Sequence, residues 1–241
     1  MNFTRPIAAF ALAALLCPPI FAQDQPPLPQ PRPEGLGEAE AAPEPGDGAE
    51  VSADRIYQAA CPALLSGRIV GDMVPPIADG DCGLQSPIAV GALVVNGREI
   101  ALSGTPVTTC AMATTLADWA EAVDAYAGAA LDTRIESLST GPGYTCRLRN
   151  GAETGFVSEH GLGNAVDITA ITLANGESIA VLDDWSATPV LDAAKFLGFA
   201  HGAACGRFTT VLGPAANADH EDHFHFDLGC HGQSCTAQIC E

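Results

Sequence analysis

The strongest constraint on the fold is a set of eight cysteines that follow an N-terminal segment with the features of a secretory signal. A ninth, Cys17, lies inside that segment. Exported proteins mature in an oxidising compartment, so this even number predicts up to four disulfides, with 105 pairings open. The alternative is a cysteine-ligated zinc site, which the lack of any Cys-x-x-Cys pair disfavours. The eight are Cys61, Cys82, Cys110, Cys146, Cys205, Cys230, Cys235 and Cys240.

Residues 1–22 predict a signal peptide. Arg5 precedes the apolar run IAAFALAALLC, which is too short to span a bilayer comfortably, and the small residue Ala22 suits a cleavage site. We therefore expect a secreted, periplasmic protein. The alternatives are an uncleaved N-terminal anchor and a lipoprotein attached through Cys17. Leu16 disfavours the lipoprotein, because a small residue is expected at that position.

Residues 23–52 are rich in proline, glutamate, alanine and glycine and nearly free of large apolar side chains. Such a segment cannot bury enough surface to offset the entropy lost on ordering, so we expect a disordered linker. Residues 53–241, about 190 in number, suffice for one domain with its own core. No segment of the mature chain is long and apolar enough to predict a transmembrane helix.

The chain is strongly acidic, with a formal net charge of -19 and only 10 lysines and arginines. Proteins that bind nucleic acid or anionic lipid need a basic surface patch, so this balance argues against both kinds of partner. We expect an acidic, monomeric domain that works outside the cytoplasm.

Hydrophobic patterning predicts an α+β domain, in which helices flank an antiparallel sheet, because helical and hairpin segments come in blocks without regular βαβ alternation. The best helix spans 111–131, where apolar residues recur at helical spacing and Trp119 is expected in the core. Asn-Gly dipeptides at 96–97 and 175–176 predict hairpin turns. Further expectations are helices at 53–66 (interrupted by Pro62) and 190–197, strands at 134–138, 165–173, 178–182 and 208–212, and a loop at 71–87.

The stretch SEHGLGNAVDI places His160 seven residues before Asp167. Glycines beside His160 predict a turn, and the alternation in AVDIT predicts a strand that points Asp167 away from the core. The two side chains can then converge on one point, as metal ligands do. The alternative is an aspartate that caps a turn beside a surface histidine.

The stretch DHEDHFHFD holds three of the six histidines of the chain. If HFHFD is a strand, His223, His225 and Asp227 share one face, and the two phenylalanines point into the core. A His-x-His pair near a histidine and an aspartate from elsewhere supplies nitrogen and oxygen donors that suit Zn²⁺. The alternative is a solvated polar face.

These two stretches resemble the motifs of the zinc D-Ala-D-Ala peptidases. Residues 220–225 match the His-x-x-His-x-His arrangement of penicillin-insensitive murein endopeptidases, and the hedgehog signalling domain shares this zinc-site plan. A longer resemblance, over 61–230, is to the bacterial extensin-like C-terminal domain family, through CPALLSG, PPIADGDCG, TCAMATTLADW, YTCRLRNG, SEHGLGNAVDI and NADHEDHFHFD. The SxHxxGxAxD pattern is matched by Ser158, His160, Gly163, Ala165 and Asp167.

The resemblance implies a D-Ala-D-Ala peptidase or hedgehog-like fold with a catalytic zinc site. His160, Asp167 and His225 would be the metal ligands, and the fourth position would be left for water, whose pKa the metal lowers. His223 would act as general base or would stabilise the tetrahedral oxyanion, and His220 would assist it.

Arg147 is the candidate for holding the substrate, although its context departs from the peptidase pattern. The peptidases commonly carry Gly-Tyr-Arg-Ser, whereas two residues separate the Gly-Tyr pair from Arg147 here. The alternative is a structural arginine paired with an acid. Many such peptidases use a glutamate as base, but Glu221 is expected on the wrong face of the strand, so His223 is preferred. His201 and His231 are expected to be surface or loop residues.

Three functions are compatible with these motifs. The first is a zinc-dependent peptidase that hydrolyses peptide bonds in peptidoglycan stem peptides or cross-links. The second is a non-catalytic, zinc-containing cell-wall binding module, since the hedgehog resemblance implies that this metal plan persists without known peptidase work. The third is a disulfide-rich wall protein with an accidental histidine cluster. His220 and His223 favour the peptidase, because a purely structural zinc site needs neither.

Overall fold

A computed structural model of the chain describes residues 56–186 and 192–241. The predicted signal peptide and linker, 1–22 and 23–52, lie outside these ranges and stay predictions. Among the helices described, none combines the length and the apolar character that a membrane crossing requires.

Strands dominate the described residues. Four α-helices accompany them: α1 (Pro62–Leu65), α2 (Cys110–Ala130), α3 (Val181–Asp184) and α4 (Asp192–Ala204). The strands described are β1 (Ile69–Met73), β2 (Ile77–Asp79), β3 (Cys82–Leu84), β4 (Ile88–Val95), β5 (Arg98–Leu102), β6 (Val107–Thr108), β7 (Ile135–Thr140), β8 (Ala165–Leu173), β9 (Ser178–Ala180), β10 (Thr210–Leu212), β11 (Phe224–Asp227) and β12 (Ile239–Cys240).

Ten of these strands form one sheet in the order β1-β4-β5-β7-β8-β11-β10-β12, with β6 beside β4 and β9 beside β8. Strands β2 and β3 form a separate two-stranded sheet. Most neighbours are antiparallel, as predicted, but β5 pairs with β7 and β10 with β12 in parallel. The predicted α+β class is therefore confirmed, with a sheet that is mixed at two pairings.

The helix α2 covers the core face of the sheet, close to its predicted bounds. The Thr109 side chain caps its N-terminus by accepting a hydrogen bond from the Met112 backbone at 3.1 Å. The fully buried Trp119 donates its indole N–H to the Ala200 carbonyl of α4 at 2.8 Å. Its ring also meets that of Phe226 in β11 edge-on, with centroids 5.2 Å apart. This aromatic contact joins the helical layer to the back of the strand that carries the histidine motif.

Both Asn-Gly turns lie where the sequence predicts them, at the β4–β5 and β8–β9 connections. At the first turn, Asn96 and Gly97 both have positive φ, 50° and 75°. A two-residue hairpin loop of the type I′ family requires this backbone at both positions, and asparagine followed by glycine adopts it most readily.

Two predictions near the N-terminus of the described domain are wrong. Of the helix expected at 53–66, the described part, 56–66, holds only α1, which Pro62 begins instead of interrupting, because a proline fits the first helical position and pushes the preceding residue into extended backbone. The loop expected at 71–87 holds the end of β1 and all of β2 and β3. The end of β1 pairs with β4, and β2 and β3 pair with each other, and these pairings override the glycine and proline signals there.

Three later elements differ in length from their predictions. The strand expected at 178–182 ends at Ala180, whose N–H is accepted by the Asp184 carboxylate at 2.8 Å as α3 begins. The strand expected at 208–212 is three residues long. The helix expected at 190–197 continues to Ala204, because Phe196, Leu197, Ala200 and Ala204 keep an apolar face against the core.

All eight cysteines are paired, which confirms the disulfide prediction. The connections are Cys61–Cys110, Cys82–Cys146, Cys205–Cys240 and Cys230–Cys235.

Candidate metal centre

The site is built on a cross-strand pair. The antiparallel register of β8 and β11 sets Asp167 directly opposite His225. Side chains alternate along a strand, so the apolar residues on either side of this pair face the other way, into the core. Their burial holds the register that keeps the aspartate and the histidine together. These buried residues are Val166, Ile168, Phe224 and Phe226.

His160 approaches the pair from a short 3₁₀ turn, Glu159–Leu162, as its flanking glycines predicted. The turn ends at Gly163, whose φ is 59° and whose Cβ, if it had one, would lie 2.3 Å from a Leu84 methyl carbon. The Gly163 carbonyl accepts a hydrogen bond from the buried Thr108 hydroxyl at 2.7 Å. The turn is thereby held between the start of α2 and the small β2–β3 sheet.

Three ligand atoms converge at this point. His225 Nδ1 lies 3.0 Å from Asp167 Oδ1 and 3.2 Å from His160 Nε2, and the last two atoms are 3.3 Å apart. These residues are the predicted ligand set, and they form one of two groups in the described part of the chain whose donor atoms could share a metal ion.

Hydrogen bonds on the far side of each imidazole orient the lone pairs. His160 Nδ1 lies 2.7 Å from the Gly143 carbonyl oxygen, which only accepts, so Nδ1 carries the proton and Nε2 faces the cluster with its lone pair. His225 Nε2 donates in the same way to Asp227 Oδ2 at 3.0 Å. Carboxylate and carbonyl partners of this kind fix the ring orientation of metal-ligating histidines.

The donor set fits Zn²⁺. With zinc–ligand bonds of about 2.0–2.1 Å, two ligands of a tetrahedron lie about 3.3 Å apart, close to all three distances of the cluster. Two imidazoles and one carboxylate also match the ligand types that zinc accepts. His160, Asp167 and His225 would hold the ion, and three protein ligands leave one position of a four-coordinate zinc for a ligand from outside the protein.

The electrostatics of the cluster also favour a positive charge at this point. Burial alone lowers the pKa of His225, but hydrogen bonds to Asp167 and Asp227 outweigh it and raise that pKa to about 9. Burial likewise opposes ionisation of Asp167, yet its hydrogen bonds to His160 and His225 hold its pKa well below the ordinary value. The raised pKa favours a proton on His225 Nδ1, which faces the other two acceptors, so the cluster is suited to hold a positive charge at this point.

The two remaining histidines of the motif lie beside the cluster. His223 precedes β11 instead of lying in it, but its ring still faces Asp167, with Nε2 3.7 Å from Oδ1. Its Nδ1 donates to the Asp222 carboxylate at 2.7 Å, which leaves Nε2 free to accept a proton. His220 Nδ1 donates to Asn217 Oδ1 at 2.8 Å, and its ring centroid lies 5.2 Å from that of His223.

The cluster opens into a cleft of about 380 Å³ whose walls are mostly polar. Arg147 lines this cleft, and its side chain forms no ion pair with any described residue. Arg149, which also lines it, is held by Glu159 at 3.1 Å. Glu221, rejected as a base because of its strand face, is exposed in the turn before β11 and is not a strand residue. The cleft residues are Arg147, Arg149, Asn150, Ser158, Glu159, Asp167, Thr210, Leu212, Asp219, His220, His223, His225, Asp227, His231 and Ile239.

The family described as extensin-like protein C-terminus has a model that matches residues 59–241. This match covers most of the chain and includes every residue of the cleft. The chain belongs to the extensin-like C-terminus family. No curated protein and no solved structure matches it.

Four features of the extensin-like site escaped the sequence prediction. Asp227 was expected on the same face as His225 but was given no role, although its spacing of two residues along a strand is the signal for one. Asp222 precedes His223 directly. His231 lies in a loop, as expected, but that loop lines the cleft, where His231 Nε2 bonds the Thr210 hydroxyl at 2.6 Å. Gly143 offers a backbone carbonyl, which no side-chain pattern reveals.

The second metal-like group of the extensin-like domain has a different explanation. It comprises His201, Cys205 and Cys240. The two cysteines are bonded to each other, so their sulfurs are not thiolate ligands. His201 was expected at the surface or in a loop, but it is half-buried on α4, where burial lowers its pKa and its Nε2 bonds the Glu241 carbonyl at 3.1 Å.

A larger cavity of the extensin-like domain, about 620 Å³, lies near the end of α2 and the start of α4. Its lining contains four acids and no histidine or cysteine, and none of the cluster residues reaches it. The smaller cleft is therefore the candidate functional site.

Proposed function

We propose that this extensin-like domain is a zinc-dependent peptidase that hydrolyses peptide bonds in peptidoglycan stem peptides or cross-links. One observation carries the proposal: the lone-pair donors of His160, Asp167 and His225 meet at one side of an open cleft, and a third imidazole, that of His223, lies beside them. A structural zinc site is closed by four protein ligands, whereas a catalytic site keeps one position open.

His160, Asp167 and His225 would hold the zinc ion. Bound there, zinc supplies Lewis acidity, which lowers the pKa of a water molecule and polarises the scissile carbonyl. Asp227 and the Gly143 carbonyl keep the two imidazoles in the tautomers that ligation needs.

His223 is the base in this proposal. Its free Nε2 faces the cluster and accepts a proton from the attacking water, while Asp222 holds the opposite N–H and stabilises the imidazolium that forms. His223 then returns the proton to the leaving nitrogen of the cleaved peptide. The His220 ring, beside that of His223, helps to position it.

Arg147 binds a carboxylate of the substrate. Arg147 lines the cleft, and no described acid forms an ion pair with it. The other arginine of the cleft, Arg149, is paired with Glu159. Peptidoglycan stem peptides carry carboxylates, and a planar guanidinium recognises them with two parallel hydrogen bonds. The predicted signal peptide would deliver the domain to the compartment that holds this substrate.

The test combines metal content with digestion of purified peptidoglycan. The oxidised mature chain should bind one zinc ion by elemental analysis and release new peptide fragments by mass spectrometry. His225→Ala should lose both metal and products, His223→Ala only products, and His201→Gln, outside the cleft, neither. Bound zinc without fragments would contradict the peptidase and support the wall-binding module, whereas a chain without stoichiometric metal would exclude both.

A further inference from the structure

One disulfide lies directly against the turn that carries His160. Cys82 is buried in β3, and a Cβ placed on Gly161 would lie only 2.8 Å from its Sγ. A Val157 methyl carbon lies equally close to that position, so Gly161 packs tightly against both the Cys82 sulfur and Val157. The partner sulfur belongs to Cys146, which is exposed.

The segment 143–147, which contains Cys146, runs beside the same turn. Besides the Gly143 carbonyl that accepts from His160 Nδ1 at 2.7 Å, the Thr145 N–H donates to the His160 carbonyl at 3.2 Å. The Arg147 carbonyl accepts from the Ser158 N–H at 2.9 Å. One short segment therefore supplies the acceptor that sets the His160 tautomer and also places Arg147 in the cleft.

We propose that the Cys82–Cys146 disulfide positions the metal site, so that zinc affinity depends on whether this bond is formed. The inference rests on the proposed zinc function. The bond fixes segment 143–147 on one side of His160, and the Cys82 sulfur supports Gly161 on the other. Without it, the Gly143 carbonyl loses its covalent restraint, and His160 is free to leave the orientation that ligation needs.

The dependence makes the site sensitive to redox conditions. A dithiol reductant that attacks the exposed Cys146 sulfur would form a mixed disulfide and then its own disulfide, which leaves Cys82 and Cys146 as two thiols after the transfer of two electrons and two protons. Reduced chains would bind zinc weakly, and the site would be completed only after oxidation outside the cytoplasm.

A second disulfide offers a matched control. Cys61–Cys110 closes a loop with a sequence separation of 49, against 64 for Cys82–Cys146, so the two restrain the unfolded chain to a similar degree. It joins Cys61, the residue before α1, to the first residue of α2, and neither cysteine takes part in the hydrogen bonds of segment 143–147 or of Gly161. The bonds to the Gly163 carbonyl come from the Thr108 hydroxyl and the Thr109 N–H, so we expect them to persist when this disulfide is removed.

The experiment compares Cys82→Ala/Cys146→Ala with Cys61→Ala/Cys110→Ala in the full mature chain. Zinc Kd is measured by competition with a chromophoric chelator, and the Co²⁺ absorption spectrum reports ligand geometry. The first variant should bind zinc about 10–100-fold more weakly and show an altered Co²⁺ spectrum, while the control keeps its Kd within about threefold. Equal losses in both variants, or unchanged affinity in the first, would overturn the inference.

A second measurement applies if the first variant does not fold. The folded parent, loaded with zinc, is treated with a dithiol, and free thiols are alkylated and mapped by mass spectrometry as zinc is released. Zinc release should follow alkylation of Cys82 and Cys146, and retention of zinc after their alkylation would refute the proposal. A parent that binds zinc but hydrolyses nothing contradicts the peptidase alone, whereas a parent that binds no zinc overturns both.

Discussion

His225 lies between two carboxylates, since its Nε2 donates to Asp227 while its Nδ1 faces Asp167. Its pKa of about 9 means that at neutral pH a proton sits on Nδ1, the atom that would coordinate zinc in the proposed site. Zinc binding should therefore release this proton, and affinity should fall by about tenfold for each pH unit below 9. Chelator competition at pH 7, 8 and 9 measures the slope, and a Kd independent of pH in this range would contradict it.

Two aspartates that each hold one histidine should have separate effects. Asp227→Asn removes the charged acceptor behind His225, so zinc affinity should fall about 10–100-fold. Asp222→Asn removes the carboxylate that accepts from His223, which is not a ligand in the proposed site. Zinc affinity should therefore stay within about twofold, while kcat for peptidoglycan hydrolysis falls. Kd and kcat measured on both variants check this separation, and a large loss of zinc affinity in Asp222→Asn would assign His223 to the metal.

Side-chain chemistry was the predictable part of the site. Alternation in HFHFD and AVDIT was enough to set His225 and Asp167 on faces away from the core. The pairing of the two strands was not predictable, because register depends on contacts between segments about 60 residues apart. The role of the Gly143 carbonyl was also not predictable from the sequence. Every residue has a backbone carbonyl, and only the folded chain shows which one His160 contacts.

Helix α2 is joined to the sheet by a buried aspartate. Asp124 accepts hydrogen bonds from the Ile135 N–H of β7 and the Asn96 amide of the β4–β5 turn, both at 3.0 Å, and pairs with Arg134. Burial opposes the charge, but these partners lower the pKa of Asp124 below its ordinary value of 3.8. A depressed pKa in the folded state adds stability above about pH 4, and that stability is lost as pH falls toward the folded pKa.

Replacement of Asp124 should show both effects. Asp124→Asn should lower the free energy of unfolding by about 2–3 kcal/mol at pH 7 and should flatten the loss of stability below about pH 4. Urea denaturation of the chelator-treated protein at pH 3 to 7 measures both. Asp118, which lies on the same helix as Asp124, forms an exposed ion pair with Arg68, so Asp118→Asn is the control. This substitution should change the free energy of unfolding by less than about 1 kcal/mol. Equal effects of the two substitutions would contradict the role of Asp124.

At the scale of elements, strong local signals were reliable and weak ones were not. The 111–131 periodicity and both Asn-Gly turns predicted α2 and two hairpins, because each encodes its structure within a few residues. Strands β2 and β3 lie in a stretch rich in glycine and proline, and their extended backbone comes from pairing with each other. Strand β12 pairs with β10 in parallel, and no turn motif in the sequence between them predicts this pairing.

Metal binding should stabilise the whole domain. At a free zinc concentration of 100 times Kd, the added stability is about 2.7 kcal/mol, which for a domain of this size raises Tm by about 5–11 °C. Differential scanning calorimetry with zinc and with chelator measures the shift. His225→Ala should show none of it, and a shift of equal size in that variant would place the zinc elsewhere in the molecule.

Fold class and disulfide number were predictable for the whole molecule, but connectivity was not. The even cysteine count indicated disulfide bonds, and the hydrophobic patterning indicated an α+β domain. The pairing of Cys82 with Cys146 joins the small sheet to the segment after β7, and only the tertiary arrangement brings these segments together.

Strand β11 carries the core on one side and the proposed chemistry on the other, and this sets a rule for tolerated length changes. Deletion of one residue ahead of His225 would exchange the two sides, so that imidazoles enter the hydrocarbon interior and phenyl rings enter the cleft. Deletion of two would keep the sides but misalign the histidine with Asp167. Insertions and deletions between His223 and Asp227 should therefore disrupt both the core and the site, whereas many single substitutions should not. Homologous sequences should differ in this stretch by substitution and not by length.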